Sequence, residues 1–490
     1  FKKLNILKCM SIQSYIPIFM SQIASFSTSV FKPQMAHHNA DPKLLANLSW
    51  KFLPVALLFR ASNWLQGPYF YKLYSSKNSI LQDLPGGMTT LYVSGYVAGM
   101  TAGTLIGSFT DRCGRRNGCV LCGLAFAFTC LTAHSNNLWV LLFGRLTAGI
   151  ASTLLHSAFE AWLVSEATRI GGAEQKLSLV SSVLSSQTSM SSFIAIISGA
   201  VATYAVNAVG VTGASDLALC LLFLGLILMF ATWRENVGVR VEAGVEESTN
   251  NDESRGGEKV QGSGSRRRSA MSVLTSHPSV IALGVVQVAY EGTMHIFITL
   301  WPEILQETVE QEENVPFGYI FSGFMVSVMV GSALYKSYTT RVDSGKTNNN
   351  VIACAVMLFV ATVALFIPFF SQGHFWATLV AFMLFEATAG GYHPCMGAMR
   401  TRLVPSDVSA SMITLFRVPQ NMLVVTLLLS YKKESHGKGR ATGSGIGQTH
   451  LLAACSGVLC LSLVVLLVVF GTAQSGSVQV EKEEAKKKNK

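Results

Sequence analysis

Apolar residues run in blocks of about twenty along most of this chain, separated by short stretches where charge, glycine and proline collect. Coiled as α-helix, a block of that length matches the hydrocarbon thickness of a bilayer, so the pattern predicts a chain that crosses a membrane many times. Twelve spans fit, at 50–71, 88–109, 117–134, 138–164, 178–208, 214–233, 277–302, 316–338, 350–371, 374–399, 407–431 and 450–472. The expected fold is an all-α membrane protein of twelve transmembrane helices in two six-helix halves, 50–233 and 277–472. Between the halves, 234–276 is rich in Gly, Ser, Glu and Arg, includes Gly262-Ser-Gly-Ser-Arg-Arg-Arg268 and lacks hydrophobic periodicity, so it reads as a disordered cytosolic linker. Residues 473–490 read as a basic cytosolic tail and 1–49 as an N-terminal extension. Residues 1–40 hold no Asp or Glu, several Ser and a few Lys, a composition shared by targeting segments and by an extra membrane helix. Both readings stay open.

Internal similarity supports the two halves. Ser94-Gly95-Tyr96 and Gly103 in the second span recur as Ser322-Gly323-Phe324 and Gly331 in the eighth, at a constant offset of 228. Leu142-Phe143 and Thr147-Ala-Gly149 in the fourth span echo Leu384-Phe385 and Thr388-Ala-Gly390 in the tenth. Parallel repeats of this kind place a substrate site near the midplane between them.

Charge fixes the expected orientation. Half the residues are apolar and 13 % are charged, about half the usual charged fraction of a soluble chain. In a soluble protein the net charge of +10 would suggest nucleic acid. Here the basic residues sit in short loops (Arg112, Arg115, Arg116, Arg169, Lys176, Lys336, Arg341, Lys346, Arg400, Arg402) and in Lys486-Lys-Lys-Asn-Lys490. With those loops and both termini in the cytosol, the loop after the seventh span, with Glu303, Glu307, Glu310, Glu312 and Glu313, faces outward. Lys432, Lys433, Lys438 and Arg440 run against the rule. The ten cysteines are scattered, mostly inside apolar runs, and Cys119-x-x-Cys122 has no second pair, so neither a disulfide framework nor a metal site is expected.

Ionisable groups inside the spans carry the candidate chemistry, because each costs on the order of 2.5–3.5 kcal/mol to insert and so faces a cavity or a partner. Arg145, Ser152, His156 and Glu160 share one face of the fourth span; Glu386, His393 and Arg400 share one face of the tenth. Gln287, Glu291, His295 and Thr299 repeat every four residues in the seventh, and the first offers Asn63 and Gln66. These are the leading spans of the four three-helix units, so their polar stripes read as the lining of one aqueous cavity. Arg417, beside Pro419 in the eleventh span, presents a fork of donors suited to an oxyanion. Arg417, Arg145, Asn63, Gln66, Tyr69 and Gln187 are the candidate substrate ligands. Glu291, Glu386, Glu160 and His295 are the candidate proton carriers or charge partners. Packing roles compete with these readings for Arg145, Glu160, His156 and His393, and Glu291 and Arg417 could simply pair with each other.

The stretch Gly107-Ser-Phe-Thr-Asp111-Arg-Cys-Gly114-Arg115-Arg116, between the second and third spans, resembles the loop motif of major facilitator superfamily transporters. Gly107, Asp111, Gly114, Arg115 and Arg116 are therefore expected as gate-latch residues. In the second half the copy has decayed, with Thr339 where Asp111 would map. Asn63-Trp-Leu-Gln-Gly-Pro-Tyr-Phe-Tyr-Lys-Leu-Tyr74, Ser157-Ala-Phe-Glu160-Ala-Trp162, Phe321-Ser-Gly-Phe-Met325 and Phe416-Arg417-Val-Pro419 resemble the molybdate-anion transporter branch of that superfamily. The resemblance implies the major facilitator fold, molybdate uptake and a plasma-membrane location. Members of that branch usually carry aspartate where this chain has Asn63, and here a cation, Arg60, lies one turn earlier.

The expected protein is a secondary carrier of molybdate or a related oxyanion, working by alternating access, with protons as a possible coupling ion, a lipid bilayer as its setting, no cofactor, and a monomeric state. A carrier of sulfate, an organic anion or a sugar, or a non-transporting receptor acting through the linker, are the alternatives. No phosphate-binding Gly-Lys-Ser/Thr loop, nucleophile elbow or His-Glu-x-x-His motif occurs, which disfavours an enzyme or an ATP-driven pump.

Overall fold

A computed structural model describes residues 41–82, 84, 87–235, 270–309, 315–342, 347–371, 373–404, 409–430 and 447–488. Twelve long helices account for nearly all of them: α1 (Pro42–Gln66), α2 (Met88–Cys113), α3 (Arg115–Thr132), α4 (Leu138–Gly172), α5 (Gln175–Val209), α6 (Gly213–Thr232), α7 (Pro278–Glu307), α8 (Phe317–Arg341), α9 (Thr347–Phe370), α10 (Phe375–Leu403), α11 (Ser409–Ser430) and α12 (Gln448–Lys488). No strand occurs among the described residues. The expected all-α fold of twelve membrane helices in two halves holds.

Local chemistry explains the ends. Asp41 caps α1 by accepting from Lys43 N at 2.9 Å, with Pro42 at the first helical position. Asn137 caps α4 through Trp139 N and Val140 N. Gly114 separates α2 from α3 at φ 100°, and Gly172 separates α4 from α5 at φ 66°, backbone angles that favour glycine. Eight helices, α1, α4 to α9 and α12, carry an apolar stretch long enough to cross a bilayer. The other four fall short for visible reasons. α3 is 18 residues long and opens on Arg115 and Arg116, α10 carries Glu386, Arg400 and Arg402, the apolar part of α11 is Leu415–Ser430, and α2 is rich in small polar residues.

Some boundaries move from the expected ones. α4 continues past 164 to Gly172, because Glu166 and Arg169 satisfy each other at 2.6 and 2.9 Å and let the helix run on beyond its apolar stretch. α1 starts at Pro42, inside the expected extension, and α12 runs on into the expected tail. At the linker's edges Arg234 and Glu235 are placed and Ala270–Ser276 is a helix. The candidate targeting segment 1–40 and linker residues 236–269 lie outside the described residues.

Each half has its own aromatic core. In the first, the Trp162 ring stacks on Trp233 at 3.8 Å, flanked by Phe52, and Phe159 meets Phe59 and Trp233. In the second, Tyr290 stacks on Tyr392 at 3.8 Å, with Phe297, Phe382 and Phe385 packed alongside. The repeat is visible in the packing too. Gly149 lets α4 press on the α2 backbone at Gly95, and Gly390 lets α10 press on the α8 backbone at Val328.

Several contacts between the halves lie toward one end. The end bearing Gly114, Gly172 and Glu235 is here termed the linker end, and the opposite one the far end. Toward the far end α5 and α8 cross at Gly199 and Gly318, where a Cβ on either would strike the other's carbonyl. Ser322 Oγ donates to the Ile196 carbonyl at 2.7 Å. Tyr69 and Tyr71 of the first half set their rings edge-on to Phe317 of the second, and Trp64 lies 5.7 Å from Phe321. α2 joins α7 through Tyr96, whose hydroxyl donates to the His295 carbonyl at 3.2 Å and lies 3.1 Å from Thr299 Oγ1. These contacts tie the halves together toward the far end.

Candidate functional site

Away from that seal, polar side chains stay exposed in the middle of helices. Ser152, His156 and Glu160 of α4, His393 of α10 and Arg417 of α11 are all exposed, and Glu291 and Arg400 are half-buried. Several of them act on one another between helices. His156 of the first half lies in the electrostatic field of Arg60 on α1 and of Arg417 on α11 in the second half. Glu291 lies in the field of Arg400 and Arg417, and accepts from Gln287. His393 lies in the field of His295 and Arg400. They line one polar space between the halves, bounded on the far-end side by Tyr96, His295 and Thr299.

Arg417 has no hydrogen bond or ion pair to any described residue within 4.0 Å. The Glu291–Arg417 pairing left open by the sequence is absent at that distance. A guanidinium in a membrane interior without a carboxylate in contact keeps all its donors available to a ligand.

The other expected ligands divide. Gln187, 5 % exposed, turns its amide oxygen to Arg60, accepting from Nε at 2.8 Å and Nη2 at 3.2 Å; this amide orientation is the one that satisfies both groups. Asn63 is half-buried one turn beyond Arg60. Gln66 is buried and spends its Nε2 on the Ser62 carbonyl at 3.2 Å, within its own helix. Tyr69 belongs to the far-end seal and donates to Thr203 Oγ1 at 3.0 Å. Arg145 lies apart from the cavity cluster, near the far end of α4, in a cage of Phe70, Tyr92 and Tyr74 with ring centres 4.7, 5.3 and 5.8 Å from its guanidinium carbon.

Among the expected charge partners, Glu291 lines the cavity and Glu160 is exposed one turn beyond His156. His295 bridges cavity and seal: its Nδ1 donates to the Glu291 carbonyl at 2.6 Å while its own carbonyl accepts from Tyr96. Glu386 shares its helix face with His393 by spacing, yet it is 3 % exposed, acts electrostatically on Tyr290 of α7, and has no partner for Oε2. It lies within the second half, away from the open space.

Of the gate-latch residues, Gly107 and Asp111 fall in the last turns of α2, where side chains are not described. Gly114 leaves room for Glu235, which a Cβ would strike. Glu235 accepts from Arg116 N at 3.1 Å and pairs with Arg116 Nε at 3.4 Å, while Arg116 Nη1 donates to the Trp233 carbonyl. Arg115 is half-buried beside it. The motif ties the end of α6 to the start of α3. Cys119 and Cys122 are both buried within α3, and Cys122 donates to the Ala151 carbonyl.

Residues 15–380, about three quarters of the chain, match the MFS_5 family model, described as "Sugar-transporters, 12 TM". The chain belongs to this family. It is therefore a multi-pass membrane transporter of major facilitator type. Among curated relatives, it is 29 % identical over 464 residues to the molybdate-anion transporter of Xenopus tropicalis, covering 93 % of each chain. It is 28 % identical over 434 residues to the molybdate-anion transporter of Danio rerio, covering 86 % of each. The resemblance read from the aromatic and Phe-Arg-Val-Pro phrases is borne out. Among solved structures, the POT family transporter PepTSo superposes with a TM-score of 0.62 at 9 % identity, over 89 % of this chain and 99 % of that one. A D-xylose-proton symporter superposes at 0.60 and 12 %, over 86 % and 97 %. At those identities the likeness is one of fold.

Arg60 and His156 were not among the expected ligands. Each has a bland reading alone, and only the convergence of α1, α4 and α11 gives them a common place. The available signal was the i, i+3 placement of Arg60 and Asn63 on one face of α1.

Proposed function

We propose that this protein is a secondary carrier that takes up a tetrahedral oxyanion, molybdate, across the plasma membrane by alternating access, with both termini cytosolic. The observation that carries the reading is Arg417, a guanidinium held inside the polar space between the halves with no carboxylate in contact. Binding an anion there offsets the cost of keeping that charge in the membrane. The contacts that tie the halves together toward the far end fit an inward-facing member of an alternating cycle, and the names of the curated relatives agree with the substrate. Glu291, in the field of Arg400 and Arg417, is the group we assign to proton coupling, with Glu160 and His295 as further candidates.

The test is molybdenum accumulation in cells expressing the chain. Arg417→Ala is expected to abolish uptake while the protein still reaches the membrane, since each charge-assisted hydrogen bond is worth about 1.5–3 kcal/mol. Arg417→Lys should impair it too, because an ammonium cannot reproduce the fork. Undiminished uptake in Arg417→Ala would refute the assignment. The family description favours a sugar as a second reading. A neutral solute would leave Arg417 unmatched, and competition by sugars but not by sulfate or tungstate would support it.

A further inference from the structure

The charged groups acting on His156 are Arg60 from the first half and Arg417 from the second, and no carboxylate joins them at that point. Glu160 is one turn along α4, and Glu291 feels Arg400 before it feels Arg417. Arg60 has no carboxylate within 4.0 Å among the described residues. Among the described residues its partner is the neutral Gln187, which engages Nε and Nη2 and so leaves the Nη1 edge unused. A neutral amide fixes the direction of a guanidinium without cancelling its charge.

We infer that Arg60, aimed by Gln187, and Arg417 form the two jaws of a clamp for a doubly charged oxyanion, with His156 as the hydrogen-bonding group between them. This deepens the oxyanion reading and rests on it. The jaws stand on opposite halves, so an anion held by both ties the halves together around itself. A tetrahedral dianion presents two oxygen edges on opposite sides and suits two forks. A planar monoanion such as nitrate satisfies one fork and leaves the other cation unmatched, so Arg60 sets the preference for dianions. Gln187 is a positioning residue.

The experiment uses the full chain in lipid nanodiscs, with molybdate, tungstate and nitrate as probes, binding measured by calorimetry and transport by reconstituted uptake. Arg60→Gln is expected to weaken molybdate and tungstate at least tenfold and to leave nitrate within twofold, removing the preference for the dianion. Gln187→Leu is expected to weaken molybdate a few-fold. Gln187→Glu, which sets a negative charge against Arg60, should weaken it more than tenfold; a merely structural Gln187 would give the opposite order, since glutamate is the closer match in shape. Monodisperse, thermally stable variants guard against misfolding. Molybdate affinity unchanged in Arg60→Gln, with Arg417→Ala still defective, overturns the clamp and spares the oxyanion reading. A wild-type chain that binds none of the three anions overturns both.

Discussion

Tyr96→Phe isolates the far-end seal, because it removes one oxygen and leaves the ring, 5.6 Å from His295, in place. The lost hydroxyl lies 3.2 Å from the His295 carbonyl and 3.1 Å from Thr299 Oγ1. Neither partner is orphaned, because Thr299 Oγ1 itself donates to the His295 carbonyl at 2.9 Å. The loss is therefore the net worth of one or two neutral hydrogen bonds, about 1–2 kcal/mol, without a large penalty for a bare buried group. In the proposed alternating-access cycle the seal exists in one state and not in the other, so this energy passes into the equilibrium between them, a shift of about 5- to 30-fold toward the far-open state. Spin labels at Ser79 and His374, exposed far-end positions on the two halves, would read it as a longer-distance population, after replacing the exposed Cys220 and Cys460. An unchanged distance distribution in Tyr96→Phe would show that the hydroxyl does not hold the far end shut.

Gly199→Val drives a side chain into the Gly318 carbonyl and should disfavour the far-closed state by about 1–3 kcal/mol, lowering uptake without loss of expression; normal uptake would contradict the crossing. Trp162→Ala removes a fully buried ring stacked on Trp233 and its hydrogen bond to the Arg234 carbonyl, so it should cost about 3–5 kcal/mol, visible as a lower melting temperature in detergent. Glu291→Gln should flatten the dependence of uptake on external pH; a wild-type rate already independent of pH would remove the proton role. Asn47-Leu-Ser49 opens α1 with Asn47 exposed, on the side read as cytosolic, so it should carry no glycan, and sugar found there would invert the orientation.

The fold was legible because its strongest determinant, apolar length, is written locally. What misled at the edges was charge that the helix itself satisfies. Glu166 and Arg169 look like a loop in a hydropathy profile, yet they pair three residues apart and extend α4. The site was legible by residue type and only partly by place. Arg417 and Glu291 line the cavity as their isolation in apolar spans suggests, whereas Glu386 shares a face with His393 and still ends up inside the second half, because a helix face does not say which neighbour covers each turn. Arg145 and the aromatic phrase 63–74 belong together, as cation and cage, but 71 residues separate Tyr74 from Arg145 and no local pattern links them.

The seam at Trp64 and Phe321 also gives the molecule an optical gauge. Trp162 and Trp233 are locked against each other inside one half, and a rigid-body swing leaves their surroundings unchanged. Trp64 faces the other half across 5.7 Å, so separation at the far end would expose its indole and move its emission to the red. Gate opening can thus be followed in the unlabelled protein, with a Trp64→Phe control to identify the source of the signal.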